Sequence, residues 1–157
     1  MQQLDNLLKE AGRLVKEENL VAALARLSEA PESLQKEGLF QFAKGTILFK
    51  NKDLGQAIIA YENAIKLGPP LPEFFSNLAV ALLTRFQGEQ SSEQDIDRAI
   101  ELFERALDMG PQLPHIYVNL GGAWFQKNDS TKARYYFELA LELFPDFEPA
   151  QLGLNSL

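Results

Sequence analysis

The chain has 157 residues, 46% of them hydrophobic, which gives enough apolar surface for one compact domain or a short array of small units. Its 22 Asp+Glu against 15 Lys+Arg leave a net charge of −7; this argues against binding a phosphate backbone, and no run approaches the ~18–20 uninterrupted apolar residues of a membrane span. There is no cysteine and His115 is the single histidine, so disulfides, thiolate nucleophiles, zinc–thiolate sites and multi-histidine clusters are excluded, and no metal or cofactor is expected.

Met1 is followed by Gln2, Gln3, Leu4 and Asp5 rather than by a basic and then apolar export signal, which points to a cytoplasmic protein. The first unit, 4–37, carries Ala23, Leu27 and Ala30 on its second helix. Pro31 falls where that helix should still be running, so the helix is expected to break near Ala30 and restart, as in an irregular N-terminal cap. The second unit, 38–71, repeats the pattern with Ala57, Tyr61 and Ala64 and ends at Gly68-Pro69. The third, 72–113, opens on Pro72, carries Ala99, Phe103 and Ala106, and ends at Gly110-Pro111. Its extra residues fall near 88–95, polar and without apolar periodicity, and read as a lengthened turn; Ser92 with Asp95 reads as the N-cap of the helix that follows. The fourth, 114–147, opens on Pro114 and has one stripe of Tyr117, Leu120, Gly121 and Trp124. Asn128-Asp129-Ser130 interrupts it, a second stripe of Ala133, Phe137 and Ala140 follows, and Pro145 stops it. The remaining 148–157 begins a fifth unit and reads as a C-terminal capping helix.

Corresponding alanines (Ala23, Ala57, Ala99, Ala133) and their large partners (Leu27, Tyr61, Phe103, Phe137) recur at spacings of 34, 42 and 34 residues, so four units tile one domain. Within each unit apolar residues recur at three and four, the period of helices packed on one face. A methyl side chain lets two helices approach and a large one fills the gap beside it, which specifies antiparallel helix pairs. Stacked pairs bury a face that a lone pair leaves open, giving an all-α, right-handed α-solenoid with the first helix of each pair on its inner surface.

These residues resemble the tetratricopeptide repeat family, whose 34-residue unit places an aromatic, a Leu-Gly pair and a tyrosine on its first helix, then Ala, aromatic, Ala and a closing Pro. Phe75, Leu78, Ala79, Leu82, Ala99, Phe103, Ala106 and Pro111 fill those places in the third unit. Tyr117, Leu120, Gly121, Trp124, Ala133, Phe137, Ala140 and Pro145 fill them in the fourth. The second unit departs at Gln41 and Lys44, the first at Glu10 and Gln35. The resemblance implies binding of a partner segment, extended or helical, along the concave face. The family's basic clamp on a C-terminal carboxylate is not expected, because its places are taken by Leu8, Gly12, Glu73 and Asn77.

On each first helix, positions three, four and three apart share a face. They are Asp5, Leu8, Gly12 and Val15; Leu39, Phe42, Thr46 and Phe49; Glu73, Ser76, Val80 and Leu83; His115, Val118, Gly122 and Phe125. Lys50, Thr84, Asn77 and Asn119 flank them. Gly12, Thr46, Val80 and Gly122 are equivalent and small, which suggests a trough, and Phe42, Phe49, Leu83 and Phe125 are expected to rim it with apolar surface. Asn77 and Asn119 would each give a carboxamide able to hold a peptide backbone. The function read from this is a protein–protein interaction adaptor or scaffold, not an enzyme, that binds a peptide segment of another protein. The alternatives are self-association through the groove and the final helix (Phe147, Leu152, Leu154, Leu157), or a chaperone of a client protein.

Overall fold

The structure, a computed structural model, describes residues 2–88, 92–110 and 113–157. Residues 89–91 of the inserted turn and Pro111, expected to close the third unit, lie outside the described residues. Among the described residues there are ten α-helices and no strand: α1 Gln2–Lys16, α2 Leu20–Ser28, α3 Glu32–Gln35, α4 Gly38–Lys50, α5 Leu54–Leu67, α6 Pro72–Phe86, α7 Glu93–Met109, α8 Pro114–Gln126, α9 Ser130–Leu143 and α10 Glu148–Asn155. The all-α expectation therefore holds. The chain divides into two compact units, Met1–Asn77 and Leu78–Leu157, with the boundary falling inside α6.

In the N-terminal unit α1 packs on α2 and α4 on α5, each pair joined by a tight turn with one recurring geometry. Glu18 and Lys52 adopt left-handed φ values of 59° and 63°, and the next residue caps the helix. The Asn19 side chain accepts the Ala22 N–H and the Asp53 carboxylate accepts the Gln56 N–H. A non-glycine left-handed residue costs roughly 1–2 kcal/mol, offset here by a filled cap and by closure of two antiparallel helices. α2 ends at Ser28, Pro31 caps the four-residue α3, and two amides mend the interruption. Gln35 Nε2 donates to Ala30 O at 2.8 Å and Gln41 Nε2 to Gln35 O at 2.7 Å. The departures from the repeat pattern at Gln35 and Gln41 thus serve the broken helix.

The core of this unit gathers Leu4, Leu7, Ala11, Ala23, Leu27, Ala30, Phe40 and Ile47, and Tyr61 and Phe74 are also almost fully buried. Each large apolar side chain contributes roughly 1.5–3 kcal/mol by burial. The start of α4 meets the end of α5 where Gly38 faces Gly68, backbone against backbone, with no room for a Cβ on Gly38.

In the C-terminal unit α8 packs on α9, and α10 packs on both. The turn between α8 and α9 repeats the same device, with Asn128 at φ 61° and the Asp129 carboxylate accepting the Lys132 N–H. Ala99, Phe103, Ala106, Leu120, Ala133 and Ala140 are fully buried and Phe137 nearly so. Phe137 is gripped from two sides. A Cβ on Gly121 of α8 or on Gly153 of α10 would lie 2.5 Å from its ring.

The start of α7 departs from the sequence reading. Ser92 stands at the N-cap but its hydroxyl makes no capping bond. The Asp95 carboxylate is buried and receives Arg85 Nε and Nη2 at 2.7 and 2.6 Å. The guanidinium from the end of α6 takes the acceptor that the sequence assigned to capping.

Candidate functional site

The first-helix faces are built separately in the two units. In the N-terminal unit, Gly12 projects into open space, since a Cβ there would meet nothing within 4 Å. Lys50 and Leu39 are exposed, Leu39 at 44%, and Phe49 is half-buried. Leu8 and Val15, expected to face inward as open surface, pack instead against the core of the unit. Phe42 is likewise spent on packing. Its ring stacks on Phe74 at 4.9 Å between centroids and tilts against Tyr61 at 5.8 Å, so it stiffens the wall of this face rather than rimming a trough.

Thr46 and Asn77 are both engaged by Tyr61. The Tyr61 hydroxyl donates to Thr46 Oγ1 at 3.4 Å, and Thr46 Oγ1 itself donates to Phe42 O at 3.0 Å. Burial pushes the Tyr61 hydroxyl pKa up, and its hydrogen bonds with Thr46 and Asn77 oppose that shift. Asn77 is half-buried, and its carboxamide already has an internal partner, which spacing alone did not reveal.

In the C-terminal unit, Val80 and Thr84 of α6 are half-buried and Thr84 Oγ1 donates to Val80 O at 2.7 Å. Leu83 is buried and offers no open apolar rim; Ser76, which ends in the N-terminal unit, is buried as well. α8 carries the clearest open face. His115 is exposed, Asn119 and Gly122 are half-buried, and Phe125 is 44% exposed. Val118 is half-buried against the cluster of Tyr117, Ala140 and Ala150.

Two adjacent glycines on α8 show what the helix is built for. Gly121 has no room for a Cβ because Phe137 fills the space, whereas a Cβ on Gly122 would meet nothing within 4 Å. Gly121 is a packing residue. Gly122 keeps a surface low between Val118 and Phe125.

Two tetratricopeptide repeat profiles match the sequence, over residues 40–69 and 91–146. The chain belongs to the tetratricopeptide repeat family. As a tetratricopeptide repeat protein it has the fold of a protein–protein interaction scaffold. No curated protein matches its sequence. Solved structures match its fold. The MamA RS-1 ArsTM double mutant superposes with a TM-score of 0.82 at 18% identity, over 98% of this chain and 82% of that one. The Arabidopsis OM64 TPR domain gives 0.68 at 21% identity, over 78% and 94%. The first TPR of Spaghetti (RPAP3), bound to the HSP90 peptide SRMEEVD, gives 0.68 at 22% identity, over 78% and 90%. Among the described residues no helix of this tetratricopeptide repeat protein is long and apolar enough to cross a membrane.

Sequence reasoning did not single out several open apolar residues in the repeat protein: Val21, Ile59, Leu67 and Tyr135, and, at the end of α9, Leu143 and Phe144, 38% and 36% exposed. For the last two the signal was present: two large apolar residues follow Ala140 beyond the packing stripe, directly before Pro145.

Proposed function

We propose that the protein is a cytoplasmic adaptor of four repeats in a single domain, without catalysis of its own, that binds a peptide segment of another protein through the first-helix faces of its repeats. The observation that carries this reading is the pair Gly121 and Gly122. Helix packing needs the first, whereas the second leaves a shallow place on α8 beside exposed Phe125 and the carboxamide of Asn119. Asn119 can donate to a peptide carbonyl and accept from its amide, and Phe125 supplies apolar area for a side chain. In the N-terminal unit Leu39, Phe49 and Lys50 add apolar and basic character, with Gly12 leaving space. Val80, Thr84 and His115 belong to the face of the C-terminal unit; Phe42, Thr46 and Asn77 are engaged inside the N-terminal unit, and Leu83 and Val118 pack inside the C-terminal unit.

A neighbour in fold is bound to an HSP90 peptide. This chain has Leu8, Gly12, Glu73 and Asn77 where a basic clamp on a C-terminal carboxylate would stand, so the feature it reads is an internal segment. The test is capture from cell lysate with the unmodified chain and with Asn119→Ala/Phe125→Ala, both checked by circular dichroism. Peptides tiled across the captured protein are then titrated by calorimetry. One segment bound at least tenfold more weakly by the variant supports the reading. Equal affinity, or recovery of copies of the chain alone, overturns it in favour of another face or of self-assembly.

A further inference from the structure

We propose that the first-helix face of the N-terminal unit is charged for an acidic partner, an internal segment that sets side-chain carboxylates and an apolar residue against α1 and α4. The inference rests on the first-helix reading above and adds to it the chemistry of what is bound. α1 and α4 touch, and their open sides are in register. Asp5, Lys9, Gly12 and Lys16 stand 34 residues before Leu39, Ala43, Thr46 and Lys50. Burial fixes which side this is. Leu8 and Val15 of α1 pack on the core, whereas Asp5, Lys9, Gly12, Lys16, Leu39 and Lys50 are exposed.

In a chain of net charge −7 this layer has the opposite sign. α1 and α4 carry Lys9, Arg13, Lys16, Lys44 and Lys50 against Asp5 and Glu10, while the rest of Met1–Asn77 carries four cations against eight carboxylates. Arg13 and Glu10 are occupied, by Glu17 at 2.8 Å and by Arg26 at 2.7 Å. Lys9, Lys16 and Lys50 make no ion pair among the described residues. Helix stability accounts for two of them at most: a cation in the last turn opposes the helix dipole, which suits Lys16 and Lys50, but Lys9 lies in the middle of α1. Nor does the repeat require them, since Lys9 corresponds to Ala43, Asn77 and Asn119, and Lys16 to Lys50, Thr84 and Gln126. Three unpaired cations on one open face attract carboxylates and repel cationic segments. Leu39, 44% exposed, offers apolar area on the same face, and Gly12, where a Cβ would meet nothing within 4 Å, lets a backbone come close. The occupant is acidic through its side chains, because Leu8, Gly12, Glu73 and Asn77 hold the places of a clamp on a C-terminal carboxylate.

The experiment uses the whole chain and a fluorescein-labelled peptide of about 12 residues, glutamate and leucine spaced by glycine, followed by anisotropy. Its C-terminus is amidated, so it has no terminal carboxylate. Comparators replace every glutamate by glutamine or by lysine. The glutamate peptide is expected to bind at least about tenfold more tightly than either, and to weaken as salt rises from about 0.05 to 0.5 M. Lys16→Gln/Lys50→Gln should weaken it about fivefold or more, and Lys9→Gln or Leu39→Ser about twofold to threefold. Lys36→Gln/Lys66→Gln makes the same change of net charge on exposed lysines outside α1 and α4, and should leave affinity within about twofold. Equal binding of the glutamate and glutamine peptides overturns the proposal, as does equal loss in the two double-lysine variants. Light scattering that shows a dimer dissolved by Lys16→Gln/Lys50→Gln overturns it too, in favour of a second copy of the chain. The probe is synthetic rather than captured, so these outcomes do not depend on whether Asn119→Ala/Phe125→Ala weakens the captured segment, and the two failures are told apart.

Discussion

Asp95 stands at the repeat position of Asp53 and Asp129, but its carboxylate receives two nitrogens of Arg85 at 2.6 and 2.7 Å instead of capping its own helix. Asp53 and Asp129 accept the N–H three residues on, at 3.3 and 3.0 Å. The difference follows from the insertion. α7 begins at Glu93, so the helix is already running at Asp95 and its start no longer needs that side chain. The carboxylate is free to tie the end of α6 to the beginning of α7 across the lengthened turn.

Removing only the cation should be costly. Arg85→Met leaves a buried carboxylate without its bidentate partner, and a loss of about 2–4 kcal/mol is expected in urea denaturation. Arg85→Met with Asp95→Leu should recover most of that loss. A single substitution as mild as the double one would mean that the pair does not hold the turn.

The neighbouring glycines of α8 predict opposite signs for one substitution. Gly121→Ala drives a methyl group against the Phe137 ring and should destabilise by about 1–3 kcal/mol, despite the better helix propensity of alanine. Gly122→Ala enters open space and should stabilise by about 0.4–1 kcal/mol. If the proposed function is right, the same Gly122→Ala variant binds the partner segment more weakly while melting at a higher temperature. Thermal melts and a peptide titration on the two proteins decide this.

The capped turns supply a third test. Asp129→Ala removes the acceptor for the Lys132 N–H and should cost about 1 kcal/mol. Asn128→Gly relieves a left-handed residue at φ 61° and should be neutral or stabilising by up to about 1 kcal/mol. Chemical denaturation of both variants reads the difference, and equal effects would contradict the cap geometry.

Alkaline pH offers a fourth. Burial first, then the negative charge of Glu104 and the hydrogen bond Tyr136 donates to it, push the Tyr136 hydroxyl up to about 12. Burial raises Tyr61 and Tyr117 as well. The unfolded chain ionises its tyrosines near pH 10, before the folded one does. Stability is therefore unaffected by these groups below pH 10 and falls as pH rises from there through about 12. Tyr136→Phe should flatten that fall, measured by denaturation at several pH values, and should remove the latest phase of tyrosinate absorbance.

Much of this was legible along the chain. The alanines at 23, 57, 99 and 133 are fully buried where a 34-residue period with one insertion put them, and Pro31 interrupts the first unit as a residue without an N–H must. The candidate site was less legible. Spacing puts Phe42 and Phe125 on equivalent faces, yet Phe42 stacks on Phe74 while Phe125 stays 44% exposed. Periodicity assigns a side chain to a face and says nothing about which neighbour arrives to cover it.

The sequence by itself determined the helix pairs, their small and large partners, the capped turn at Asn128-Asp129-Ser130 and the family, because each depends on residues close in the chain or repeated at one interval. Only the tertiary structure decided which small residues are required and which are open. Gly121 and Gly122 are identical as letters and differ because Phe137 reaches one and nothing reaches the other. It also decided that Asp95 binds Arg85, that Tyr61 engages Asn77, and that Leu143 and Phe144 remain uncovered. Those outcomes depend on distances between residues that local propensity cannot encode.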